Sequence, residues 1–187
     1  VNGSIFMKRP PLNSRDINIG QFDDVTSYWM GGTFNPIMDS SVLCSGCHQY
    51  ANRNGLVVDD TYDSWYASSY ASLGIQCQDC HMRPNSDSIF ASGIGGPHAV
   101  VRDTNRVYNQ FFRGGTSKPM LKESVRLLSQ SAIGINTLRV DNWVTNIGAG
   151  HKLPTGVSFR NMIQRVTVLD GTDTLQQTFG STIPAFG

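Results

Sequence analysis

The sequence predicts a loop-rich α+β protein, with short helices in residues 1–120 and a small antiparallel β domain over residues 121–187. Three observations predict it. Gly is frequent, at 19 residues, while charged residues make up only 16% and apolar residues 39%, a mixture that folds but is rich in turns. One run, residues 60–74, carries a clear helical stripe. After about residue 120 the runs become rich in Val, Leu, Ile, Thr and Phe, show partial alternation, and are separated by Gly turns.

The elements follow in order. "KRPPLNSRD" opens the chain as an extended, Pro-bearing segment, and a short helix is expected around Gln21 to Met30. In "DDTYDSWYASSYASLG", Asp60 reads as the N-cap, and Tyr62, Trp65, Tyr66, Tyr70 and Leu73 fall on one helical face. Gly74 supplies the stop. A weaker helix is expected from Thr104 to Phe112. Beyond residue 120, "LKESVRLLSQS", "NTLRVDNWVTN", "SFRNMIQRVTVLD" and "DTLQQTFG" read as four strands, with Asp170-Gly171 as a hairpin turn. Four strands make half a sandwich. Their open edges call for a partner, a neighbouring copy, or more of the same chain.

Lys and Arg total 15 against 14 Asp and Glu, so no basic surface is available to follow a phosphate backbone, and nucleic-acid binding is not expected. No apolar run approaches the roughly 20 residues that cross a bilayer. The chain starts at Val1 without an apolar leader, which reads as a mature secreted chain or a trimmed one. One Asn2-Gly3-Ser4 sequon is weak evidence for a glycan.

The chemistry is concentrated in "CSGCHQY" and "CQDCHMR", residues 44–50 and 77–83. Cys44, Cys47, Cys77 and Cys80 have the two-plus-two spacing of a structural zinc site. Disulfides within such close pairs strain easily, and a thioredoxin-like reading needs a βαβ context that neither motif has. His48 and His81 decide between these readings. With 4 His in 187 residues, both positions being His by chance is about one in two thousand. A zinc site has no use for them. Cys-x-x-Cys-His is the attachment signal of c-type haem, with both thiols forming thioethers to the vinyl groups and the His binding iron. Two haem c groups are therefore expected, and they would supply apolar core that the N-terminal part lacks.

Each proximal His leaves one further axial position on its iron. Two haems leave two, and two more histidines remain, His98 and His151. His151 lies in "NIGAGHKLPTG", where Gly148 and Gly150 remove side chains as if for approach to a porphyrin, and Pro154-Thr155-Gly156 reads as a tight turn. His98 lies in "GIGGPHAV", stiffened by Pro97. Met30, Met38 and Met120 compete by spacing, whereas Met82 adjoins His81 and cannot reach the opposite face of the same iron.

At these residues the sequence resembles the multihaem c-type cytochromes of anaerobic respiration and extracellular electron transfer. "YDSWYASSYASLGIQCQDCHM", "NIGAGHKLPTG" and the "FFRGG" after His98 carry the resemblance, which covers roughly residues 42–170. It implies Cys44, Cys47, Cys77 and Cys80 as thioether anchors, His48 and His81 as proximal ligands, and His98 and His151 as distal ligands. It also implies a periplasmic or extracellular protein, and a β-rich part after the His151 loop. Many relatives carry four or more haems where this chain has two motifs. Members of the class form extracellular filaments, some with haem ligands donated between subunits, so the resemblance admits a homo-oligomer in which His98 or His151 serves a neighbour.

With all four axial positions filled by His, the expected function is electron transfer, with redox proteins or extracellular acceptors as partners. The alternative is a dihaem enzyme, a peroxidase or oxyanion reductase, with one open iron. Arg102, Asp103 and Lys152 are the charged residues nearest the ligand loops, suited to acid–base work or to neutralising haem propionates.

Overall fold

The computed structural model describes residues 17–22, 31–84 and 107–175, and they form short helices and small strand pairs joined by loops, the loop-rich α+β class expected. His98, Arg102, Asp103, Met30 and nearly all of the helix expected at Gln21–Met30 lie outside the described residues. A short parallel pair, β1 (Ile17–Gly20) with β2 (Gly31–Phe34), leads into a 3-10 turn at Pro36–Asp39. The helix α1 (Val42–His48) follows. Next come a small antiparallel pair, β3 (Tyr50–Ala51) with β4 (Val57–Asp59), and then α2 (Thr61–Tyr66), α3 (Ser69–Ser72) and α4 (Cys77–His81).

The single helix expected over residues 60–74 is two helices. Ser68 is extended at φ −89° and ψ 165°, and its hydroxyl accepts from the Tyr70 N–H at 3.2 Å, capping α3 afresh. The stop at Gly74 is as expected, with φ at +75°. Asp60 does precede the helix, but the Thr61 N–H is capped by the Asp59 carboxylate at 2.9 Å, and Asp60 turns to Lys152. Of the aromatic stripe, Trp65 is buried, and its indole Nε1–H donates to the Ile75 carbonyl at 3.0 Å, tying α2 to the strap before α4. The helix expected from Thr104 to Phe112 is not present in its described part. Residues 107–112 are irregular, Tyr108 bridges Pro84, and Phe112 takes φ +45°, which no helix accommodates.

In the C-terminal part, α5 (Lys118–Ser124) occupies the start of the first predicted strand. Then β5 (Val125–Ile133) and β6 (Leu138–Asn146) pair along all nine residues, from Val125 opposite Asn146 to Ile133 opposite Leu138. Among the described residues the third and fourth runs yield β7 (Leu169–Asp170) and β8 (Asp173–Thr174), joined at Gly171 with φ +60°, so the Asp170-Gly171 turn is where it was expected, while residues 176–180 of the fourth run lie outside the described residues. The described strands therefore form two separate hairpins rather than one sheet of four. Alternation suggested a strand at residues 158–168, yet Phe159, Met162, Ile163 and Val166 are exposed there, and apolar alternation without an adjoining edge makes no ladder.

Among the described residues the buried set is polar: Ser41, Ser45, Gln49, Asp59, Gln78 and Ser124, against Trp65 as the apolar member. The two most enclosed side chains join α1 to α4. The Ser41 N–H donates to the Gln76 side-chain oxygen at 2.8 Å, and the Ser41 hydroxyl accepts from the Cys77 N–H at 2.9 Å. Gln78 donates through Nε2 to the Ser40 carbonyl at 2.9 Å and to the Met38 carbonyl at 3.3 Å. Each helix start thus satisfies backbone groups of the other. Ser41 is 0% exposed and Gln78 1%, so water cannot replace these bonds if they break. Gln78→Ala removes the side-chain donor from the Met38 and Ser40 carbonyls, the latter keeping the Leu43 N–H, with an expected loss of about 1–3 kcal/mol in chemical denaturation. An unchanged midpoint would show that the clasp contributes nothing.

Candidate haem-binding site

One turn of helix explains the spacing of the motifs. Residues i, i+3 and i+4 share a helix face. Cys44, Cys47 and His48 therefore stand together on α1, and Cys77, Cys80 and His81 on α4. All four cysteines are free thiols. The clasp brings the two helix starts together, so the first cysteines of the two motifs touch, and the Cys44 S–H donates to the Cys77 sulfur. That hydrogen bond is the main influence pulling the Cys77 thiol down to about 6, with Ser41 also contributing and burial opposing it. Cys44, the donor, is pushed strongly up. Among the described residues no group of three or more His, Cys, Asp or Glu comes together to hold one metal ion. The four thiols do not form a four-thiolate zinc centre in this structure.

His151 faces His81. The ring centroids are 6.1 Å apart and the planes 17° from parallel. His81 Nδ1 bonds to the Arg113 carbonyl, and His151 Nδ1 bonds to the Lys152 carbonyl at 2.9 Å. A carbonyl only accepts, so each Nδ1 carries the proton and each Nε2 keeps its lone pair. That is the tautomer of a metal-ligating histidine held by an outer partner. Two imidazoles sharing one metal, with bonds of about 2 Å and about 1 Å from nitrogen to ring centre, stand about 6 Å apart. The observed centroid separation matches that distance. Burial lowers the proton affinity of His81, His151, His48 and Arg83 lower it further, and the Arg113 carbonyl opposes them. The net direction favours the neutral, ligating ring.

His151 is held in place by α2 and α3. The Lys152 N–H donates to Ser64 Oγ at 2.8 Å, Lys152 Nζ pairs with Asp60 at 2.6 Å, and the Thr155 and Thr61 hydroxyls meet at 2.6 Å. Asn146, the last residue of β6, donates to the His151 carbonyl at 2.8 Å and accepts from the Ala149 N–H at 3.0 Å. Gly148 and Gly150 serve this docking, through contacts with protein rather than with a cofactor. A Cβ on Gly148 would lie 2.3 Å from the Glu123 carbonyl oxygen, and one on Gly150 would lie 3.0 Å from the Tyr70 ring. Lys152, expected to serve propionates or proton transfer, is engaged by Asp60.

His48 is in a different setting. Its side chain is 59% exposed, and Nδ1 lies 3.7 Å from the Asp59 carboxylate. The structure brings together Cys44 with Cys77 and, separately, His81 with His151, with His48 on α1. Sequence reasoning missed Ser41, Gln78, Asp59 and the Arg113 carbonyl. The available signal was a Ser three residues ahead of one motif and a Gln inside the other. Among the described residues, no helix is long and apolar enough to cross a membrane.

No family model matches the sequence, and no curated protein matches it. Among solved structures, the chain is similar to a penta-heme cytochrome c552 from Thermochromatium tepidum, at 22% identity with a TM-score of 0.49. The match covers 69% of this chain and 28% of that one, so the chain spans little more than a quarter of that cytochrome's length. Neither haem number nor activity is transferred by a likeness of this level.

The glycine contacts generate a ranked expectation. Gly148→Ala forces a Cβ into backbone and costs about 1–3 kcal/mol, whereas Gly150→Ala meets a ring that can shift and costs less. Thermal melts of the two variants check the order, and equal losses would contradict it.

Proposed function

We propose that the chain carries two covalently bound c-type haems and transfers electrons through them. Cys44 and Cys47 would anchor one haem with His48 as proximal ligand, and Cys77 and Cys80 the other with His81. His151 would be the distal ligand opposite His81, leaving His98 for the iron of His48. When bound, haem iron supplies a one-electron couple. The residues do the rest: the thiols fix the ring to one helix turn, the imidazoles fill the axial positions, and paired histidines favour a low potential.

The observation that carries this reading is the facing His81–His151 pair, with both Nδ1 atoms engaged by carbonyls. The polar interior supports it too, since two large apolar rings would complete a core that, among the described residues, Trp65 alone does not make. The setting proposed is periplasmic or extracellular respiration, with redox proteins, external acceptors or copies of the chain as partners. The hairpin β5–β6 supports an assembly with copies, because Leu127, Leu128, Trp143 and Val144 are exposed on it. The alternative, an enzyme with one open axial position, is favoured by the exposure of His48 and would have its reactive iron there.

The deciding measurement is haem content together with the spectrum of the dithionite-reduced protein before and after CO. Two haems per chain and bands unmoved by CO are expected. In His151→Ala, one haem of the two should bind CO. A protein that takes up no haem overturns the reading, and CO binding by the unaltered chain moves it to the enzyme.

A further inference from the structure

The two motifs are alike in sequence, but their histidines have different neighbours. His81 Nδ1 meets a neutral backbone carbonyl, that of Arg113. His48 Nδ1 faces a carboxylate, Asp59 Oδ2, at 3.7 Å. That is an ion-pair separation rather than a hydrogen bond, so the effect on the ring is one of charge.

The fold builds this contact. Immediately after α1, Tyr50 on β3 pairs with Asp59 on β4, so the strand return carries the acid back beside the ligand helix. Asp59 is 8% exposed, and its other oxygen is held by the Thr61 N–H at 2.9 Å and the Thr61 hydroxyl at 2.6 Å. The neighbouring acids are occupied: Asp60 by Lys152 at 2.6 Å, and Asp63 by Gln49 at 2.6 Å. Among the described residues Asp59 has no Lys or Arg in ion-pair reach. Its charge is directed at His48.

We propose that Asp59 tunes the haem held by His48, setting its reduction potential below that of the haem held by His81. The inference rests on the electron-transfer reading above. A fixed anion beside the imidazole N–H strengthens the ring as a donor and stabilises the oxidised iron, which carries one more positive charge. A carbonyl dipole does this less. The two haems then differ in potential, and electrons run downhill from the haem of His48 to that of His81. Asp59 is a positioning residue; it acts through His48 and touches no iron.

Spectroelectrochemical titration of the dihaem protein tests this. Two waves are expected. His151→Met replaces a ligand of the second haem, raises the potential of that haem, and so identifies which wave is which. Asp59→Asn keeps an oxygen for both Thr61 bonds while removing the charge. It should raise the lower wave toward the upper one and leave the upper in place. Asp59→Glu, which keeps the charge, should restore most of the separation. Waves that stay put in Asp59→Asn, or that shift together, overturn the tuning role while haem content stays at two per chain. A chain without haem overturns the electron-transfer reading, and the inference with it.

Discussion

The reciprocal clasp between the starts of α1 and α4 is the constraint on which the site depends. Helices of seven and five residues are too short to persist alone in water. Ser41, Gln76 and Gln78 give each an external partner for backbone groups it cannot satisfy itself. The geometry of the two donor sets follows from this. With the helix starts locked, Cys44 and Cys77 must touch, and His48 and His81 are carried to the far ends of their helices. Two cofactors attached there would be close neighbours, which short-range electron transfer needs.

A second constraint brings the chain back from far along the sequence. The His151 loop sits more than 60 residues beyond α4, yet Ser64, Asp60, Thr61 and Tyr70 hold it at four points. These residues belong to α2 and α3, or adjoin them, and Trp65 in turn fastens α2 to the strap entering α4. The position of His151 opposite His81 is therefore relayed through protein contacts, independent of any cofactor. The glycines illustrate the point: at Gly148 the missing side chain admits the Glu123 carbonyl, and at Gly150 the Tyr70 ring.

How far the sequence was legible depended on whether the physics was local. The CxxCH motifs were readable because one helix turn fixes the spacing of thiol, thiol and imidazole. Gly74 and Asp170-Gly171 were readable because positive φ is a property of one residue. The break at Ser68 was not, since a Ser within an apolar stripe can cap a new helix as easily as continue an old one. The clasp was invisible because Ser41 and Gln78 are ordinary polar residues until two distant segments meet. Residues 158–168 misled for the opposite reason: they alternate like a strand, and pairing needs a neighbour that composition cannot report. The partner of His151 was likewise beyond reach, since counting histidines says how many ligands exist and not which ring each one faces.

The polar interior links these strands of the argument. A fold whose described residues bury one Trp and six polar side chains gains little from removing apolar surface, while ordering each residue costs about 1–2 kcal/mol of backbone entropy. Hydrogen bonds contribute only about 1 kcal/mol each net, so their value here is in specifying geometry more than in holding the chain together. Under the proposed function the missing apolar area belongs to the porphyrins, and the thioethers fasten that area to α1 and α4. The polypeptide then supplies position and charge, and the cofactors supply cohesion. Such a division of labour lets the carboxylate of Asp59 beside one motif and the carbonyl of Arg113 beside the other differ in charge. Two identical motifs can in this way be given unequal surroundings, and a pair of like centres becomes a directed one.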